Sequence, residues 1–254
     1  MLGGRVIPGT EDRVIRAPDE AWFTPGSRGT RPRRRWKDGT PRIDLLVSHW
    51  TAGAEHEDEA GFEGDLVDDA GIRVFRSMRG RKRPDGSPME VGCELVIAAC
   101  SPSERRAEIW QLADPFETAC VHVSKAWNPR SIGIERCMPG TRAQAEKLRS
   151  ERPVIERVVA GVRKEIVDFY PGELESFRWL IETLAAHCGV PRTVPAVRGF
   201  DQHLRLMRRR MTTSEARAAK GLVEHYLSPS TSKYDTGTLA LEQALSEGWE
   251  LREP

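Results

Sequence analysis

The segment GLVEHYLSPSTSKYDTG, residues 221–237, gathers His225, Lys233 and Asp235 within eleven positions. An imidazole, an ammonium and a carboxylate on one polar stretch fit an ordinary solvated connection. They also fit half of a metal site. A catalytic zinc takes three protein ligands from His, Asp, Glu or Cys and leaves one position for water. His225 and Asp235 offer two. A third belongs at a strand end, where a sheet fixes its geometry. His49 stands at such a place, since LLVSHWTAG is an apolar run that turns polar, with Thr-Ala-Gly behind it. Taken singly, a histidine there is usually a hydrogen-bonded surface or core group and only seldom a ligand. On these residues alone both readings stay open.

The elements that must position these groups follow from local pattern. RIDLLVSHW reads as a buried strand, VGCELVIAAC and RAEIWQLAD as two strands joined by the turn SPSER, and RSIGIERCM as a further short strand. Residues 62–78 hold a helix broken near Gly71. PGELESFRWLIETLAAHCGV is the best helix in the chain: Pro171 starts it, Gly189 closes it, and Phe177, Leu180, Ile181, Leu184 and Ala185 share one face. His187, in its last turn, complements the helix dipole. The first part of 141–170 reads as a loop excursion, and 191–220 as a long polar connection with one short helix. TLALEQALSEGW is a C-terminal helix. Strands come first and the long helix follows, which predicts a single mixed α/β domain with a central β-sheet flanked by helices. Residues 1–42, rich in Arg, Pro and Gly, are expected to form an irregular basic arm, and 43–254 the domain proper, with a helical or irregular insertion within about 138–215.

The totals narrow the class. The chain has 254 residues, 39% hydrophobic and 30% charged, with net charge +1. That balance makes no global electrostatic case for nucleic acid, and none is expected as a partner. Three basic blocks, RGTRPRRRWK, MRGRKRP and MRRR, read as solvated loops and helix faces; the alternative is a surface that meets a polyanion. No apolar run is long enough for a membrane span. The first residues carry charge where a signal peptide needs an apolar stretch, so synthesis in the cytoplasm is the expectation, with action on the wall after release. The five cysteines show no CxxC spacing, so reduced thiols are the simplest account.

Three segments, VSHWTAG, NPRSIGIE and EHYLSPSTSKYDTG, occur in this order and resemble signature segments of the zinc-dependent N-acetylmuramoyl-L-alanine amidases. That amidase type shares its fold with peptidoglycan recognition proteins and phage lysozyme-type amidases. The resemblance runs from about residue 43 to 237, and is weaker in VGCELVIAA and IWQLADP. It implies zinc held by His49, His225 and Asp235, with Glu135 as general base and Lys233 facing the developing oxyanion. Glu224 stands where the family has Gly, and Thr236 where it has Pro. Cys93 and Glu94 replace a family Tyr-His pair, and Glu94 is expected either to face the cleft and touch substrate or to compete as an acid. His122 and Asn128 are expected to touch substrate. Trp127 either lines the groove or, slightly preferred, is buried. His56 and His203 are expected at the surface. The implied activity is hydrolysis of the amide between N-acetylmuramic acid and L-alanine in peptidoglycan or a muropeptide, in an endolysin-type wall hydrolase. The alternatives are a cytoplasmic anhydro-muropeptide recycling amidase and a recognition module that binds without cutting.

Overall fold

The computed structural model of the chain describes residues 7, 10, 12–50, 70–139, 141–147, 150–159, 161–229 and 237–254. In chain order the strands are β1 (Val14–Arg16), β2 (Thr30–Pro32), β3 (Leu45–Trp50), β4 (Leu95–Ile97), β5 (Ile109–Gln111), β6 (Thr118–Cys120), β7 (Ser131–Arg136), β8 (Val154–Val159), β9 (Val162–Val167), β10 (Thr193–Arg198), β11 (Leu204–Leu206), β12 (Gly221–Glu224) and β13 (Glu250–Arg252). The α-helices are α1 (Ala70–Gly80), α2 (Arg142–Lys147), α3 (Pro171–Cys188), α4 (Thr213–Ala218) and α5 (Leu239–Ser246). Mixed sheets with helices make this an α/β fold. Among the described residues no helix is long and apolar enough to cross a membrane.

The central sheet runs β1-β5-β4-β7-β3-β12. Its β4, β7, β3 and β12 are parallel neighbours, while β5 runs antiparallel to β4. Leu45, Leu46 and Val47 are fully buried, as are Ile132 and Ile134 on β7. Apolar residues on both strand faces are what a sheet covered on both sides requires. Helix α3 packs against this core along the face expected of it: Phe177, Leu180, Ile181, Leu184 and Ala185 are all buried. Pro171 sits at its first turn, and Gly189 ends it at φ +67°, the left-handed conformation glycine adopts without a Cβ clash.

Two stretches differ from the sequence expectation. The excursion after residue 150 is a β-hairpin, β8–β9, in register from Val154↔Val167 to Val159↔Val162. Between the strands stands Gly161 at φ +82°, the backbone a tight hairpin needs. The charged residues of VIERVV and VRKEIV hide their β-branched content. The polar connection 191–220 does contain its short helix, α4, but also β10 and β11, an antiparallel pair. Strand β13 adds parallel to β10 and completes a three-stranded sheet.

The N-terminal stretch is docked at several points. Strand β1 pairs parallel with β5, and the Ile7 N–H donates to Gln111 Oε1 at 3.1 Å. Phe23 is fully buried, 4.7 Å from the Phe75 ring of α1. The basic residues of this stretch meet carboxylates: Arg31 pairs with Glu90, Arg33 with Glu94 and Arg35 with Glu117.

Candidate metal centre

Strands β7, β3 and β12 lie side by side and parallel, so their C-terminal ends open at one edge of the sheet. Ligand sites of open α/β sheets form at such edges. His49 pairs directly with Glu135 across β3 and β7. On the other side Glu224 pairs with Ser48, and His225 follows as the first residue of a 3-10 turn. Directly opposed residues point to the same sheet face. Glu135 and His49 on their strands and His225 just past the end of β12 form one row at this edge of the sheet. All three are nearly buried, at 5%, 2% and 4% exposure. His49 and His225 are 176 residues apart in sequence, yet their Nδ1 atoms lie 3.0 Å apart.

Two imidazole lone pairs at that distance need something between them, either a proton or a cation. Ligand nitrogens at about 2.0–2.1 Å from a tetrahedral zinc stand roughly 3.3 Å from one another. The pair fits a zinc centre with a small adjustment. Among the described residues no group of three or more His, Cys, Asp or Glu could hold a metal. The third expected ligand, Asp235, lies outside the described residues, as do Lys233 and His56. His122 is no substitute ligand. Its Nδ1 contacts His49 Nε2 at 2.8 Å, on the opposite edge of the His49 ring from the Nδ1 pair. Burial of the His122 ring, then His225 and Arg33 beside it, pull its pKa down to about 3.

The reverse face of the sheet explains Glu224, which stands where the amidase signature segments have Gly. Side chains alternate along a strand, so Arg136 and Glu224 point away from the His row. They form a buried ion pair, Nη2 to Oε1 at 3.1 Å, that spans β3 from behind. Arg136 Nε also donates to the His49 carbonyl at 3.3 Å, and its guanidinium sits 4.3 Å from the Phe169 ring and 4.9 Å from Phe177. Glu224 Oε1 further accepts from the Ala240 N–H at the start of α5. A Gly at 224 would leave Arg136 without this carboxylate. Arg130, the other cation near Glu135 in sequence, pairs instead with Asp44 at 2.6 Å.

Two expectations for the cleft, Glu94 and Asn128, are corrected in position, and Trp127 takes the buried place preferred for it. Glu94 does not face it. The carboxylate is fully buried, bound by Arg33 Nη2 at 2.9 Å and by the backbone N–H groups of Cys120 and Gly133. Burial pushes its pKa up, and Arg33 and the two N–H donors pull it back. Arg33 lies 61 residues upstream, where no local pattern points to Glu94. Asn128 is a turn residue: its Oδ1 accepts from the N–H groups of His122, Val123 and Ser124 at 3.3, 2.9 and 3.1 Å. Trp127 is fully buried and donates from Nε1 to Ala216 O at 2.6 Å. His187 and His203 are exposed.

Sequence reasoning missed Ser131 and Gly133. The Ser131 hydroxyl lies 3.1 Å from His122 Nε2. A Cβ on Gly133 would stand 3.0 Å from the His122 ring, so the bare backbone there is what lets the ring lie on β7. Alternation from Glu135 puts 131 and 133 on the same face as the site, which is the signal that could have found them.

No family model matches the chain, and no curated protein does. Among solved structures the chain is similar to the N-acetylmuramyl-L-alanine amidase AmiD from E. coli in complex with the substrate anhydro-N-acetylmuramic acid-L-Ala-D-gamma-Glu-L-Lys. Identity is 20% and the TM-score 0.31, over 63% of this chain and 50% of that chain. A likeness of that size leaves fold detail and activity to be argued from the site itself.

Proposed function

We propose that the chain is a zinc-dependent amidase that hydrolyses the bond between N-acetylmuramic acid and L-alanine in peptidoglycan or a muropeptide. The observation that carries the reading is the convergence of His49 and His225, Nδ1 to Nδ1 at 3.0 Å, in one row with Glu135. These residues come from the three segments whose order and content resemble the amidase signatures.

In this reading His49 and His225 would hold the metal, with Asp235 as the third ligand. Bound zinc supplies Lewis acidity toward water and toward the amide carbonyl. Glu135 takes a proton from the attacking water and returns it to the L-alanine nitrogen as the C–N bond breaks. The products are a free L-alanyl peptide and a lactyl carboxylate. Lys233, from the same segment as Asp235, would supply positive charge to the carbonyl oxygen as negative charge develops on it. Arg136 and Glu224 keep the three strand ends in register from behind.

The test is incubation of the purified protein with a MurNAc-pentapeptide, first with zinc and then with chelator. Mass spectrometry reads free peptide beginning with L-alanine. Zinc-dependent release is expected. Tight muropeptide binding with no release would instead favour a recognition module.

A further inference from the structure

His122 is in contact with the site, but its partners are protein atoms. Its Nδ1 lies 2.8 Å from His49 Nε2, and its Nε2 lies 3.1 Å from Ser131 Oγ. The Ser131 hydroxyl donates to the Trp127 carbonyl at 2.9 Å. A hydroxyl has one proton. Spent on Trp127 O, it leaves Oγ only acceptor capacity toward His122, so the His122 proton sits on Nε2. With one proton to each imidazole, a His122 protonated at Nε2 keeps its lone pair at Nδ1. The proton in the 2.8 Å contact then belongs to His49 Nε2. That leaves the His49 lone pair at Nδ1, the atom facing His225 Nδ1.

We propose that His122 is a positioning residue which, with Ser131, holds His49 as its Nε2–H tautomer and so presents Nδ1 to a divalent cation shared with His225. This rests on the metal reading above. The role differs from the substrate contact the sequence suggested. The surroundings hold His122 in place from several sides. Asn128 Oδ1 fixes the turn that carries it, and Gly133 leaves room for its ring. Arg33 Nη1 donates to the Ser131 carbonyl at 2.7 Å, anchoring the residue that sets the first proton. A hydrogen-bonded partner on the far nitrogen of a ligand histidine fixes both tautomer and ring orientation, and losing it costs about 10–100-fold in metal affinity.

The first readout needs no metal and no activity. Long-range ¹H–¹⁵N NMR of the metal-free protein distinguishes the tautomers of its six histidines, with single substitutions giving the assignments. His49 and His122 are both expected as Nε2–H forms. A His49 proton on Nδ1, or averaging between the two nitrogens, would overturn the proposal. The second readout is zinc affinity by competition with a chromophoric chelator. His122→Phe should bind about 10–100-fold more weakly. His122→Asn, whose amide oxygen can stand where Nδ1 stood, should recover most of that loss. Unchanged affinity in a folded His122→Phe also overturns the proposal. Should His122→Phe fail to fold, Ser131→Ala takes its place, with a mixed His49 tautomer expected and an unchanged one counting against the idea. A wild-type protein that binds no zinc would sink the metal reading, while the metal-free tautomers still judge this one.

Discussion

Replacing Arg33 with Met tests how firmly the N-terminal stretch is built into the domain. Arg33 and Glu94 side chains are both fully buried, 2.9 Å apart. The guanidinium also donates to Ser131 O and Thr118 O, each at 2.7 Å. Removing one partner of a buried pair costs about 3–5 kcal/mol, because the other charge is left uncompensated. For a chain of this size that corresponds to roughly 6–20 °C in Tm. The loss should depend on pH. Burial already holds the folded pKa of Glu94 above the ordinary glutamate range, and Arg33 is the largest influence lowering it. Without Arg33 the folded pKa rises further. A group with a raised folded pKa binds more protons folded than unfolded, so stability falls as pH rises from the unfolded pKa through the folded one. Arg33→Met should therefore be less stable at pH 7.5 than at pH 5.5, with the difference larger than in the wild type. Urea unfolding followed by tryptophan fluorescence at both pH values reads this directly. Arg33→Met with Glu94→Leu should recover most of the loss, as apolar replacements of buried pairs commonly do. A single variant within about 1 kcal/mol of wild type at pH 7.5, with no added pH dependence, would refute the buried pair.

His49→Ala and His225→Ala should each abolish stoichiometric zinc, measured by elemental analysis; retained zinc would move the ligands elsewhere. Glu135→Gln should keep zinc and lower kcat by about 10²–10⁴-fold, and undiminished turnover would remove the base from Glu135. Gly221→Ala should destabilise by at least about 2 kcal/mol in urea. Position 221 has φ +85°, and a Cβ there would sit 2.0 Å from Thr193 O, so left-handed strain adds to a backbone clash. A near-neutral result would mean that β12 starts differently from the geometry described.

The elements best seen in the sequence are those whose pattern is local. Helix α3 shows its N-terminal Pro171, its closing Gly189 and a single apolar face. Strand β3 shows an apolar run ending at His49, and β7 shows Ile132 and Ile134 before Glu135. The row joining them was legible only because three motifs, taken together, resemble one family; no single residue showed it. What stayed hidden depends on distant partners. Glu94 looked like a cleft residue because Arg33, which neutralises it, lies in a stretch that reads as irregular. Asn128 looked like a substrate contact, yet its carbonyl oxygen serves three backbone N–H groups of the preceding turn. The β8–β9 and β10–β11 hairpins were obscured by charged residues on their exposed faces. The second also turns through Gln202 at φ +64°, a non-glycine conformation that composition does not signal.

The pairing of β1 with β5 bears on how the protein behaves in concentrated solution. Without β1, the backbone of Ile109–Gln111 would form an open sheet edge, a template for another chain to add to. With β1 in place the sheet instead ends in three residues, flanked by Arg13 and ending in Arg16. Arg13 is paired with Glu175 and Arg16 with Asp19. Short length and fixed charge are the means by which natural sheets discourage edge-to-edge association. The N-terminal stretch thus protects against aggregation, and trimming it back to residue 42 should cost solubility even where the metal centre is left whole.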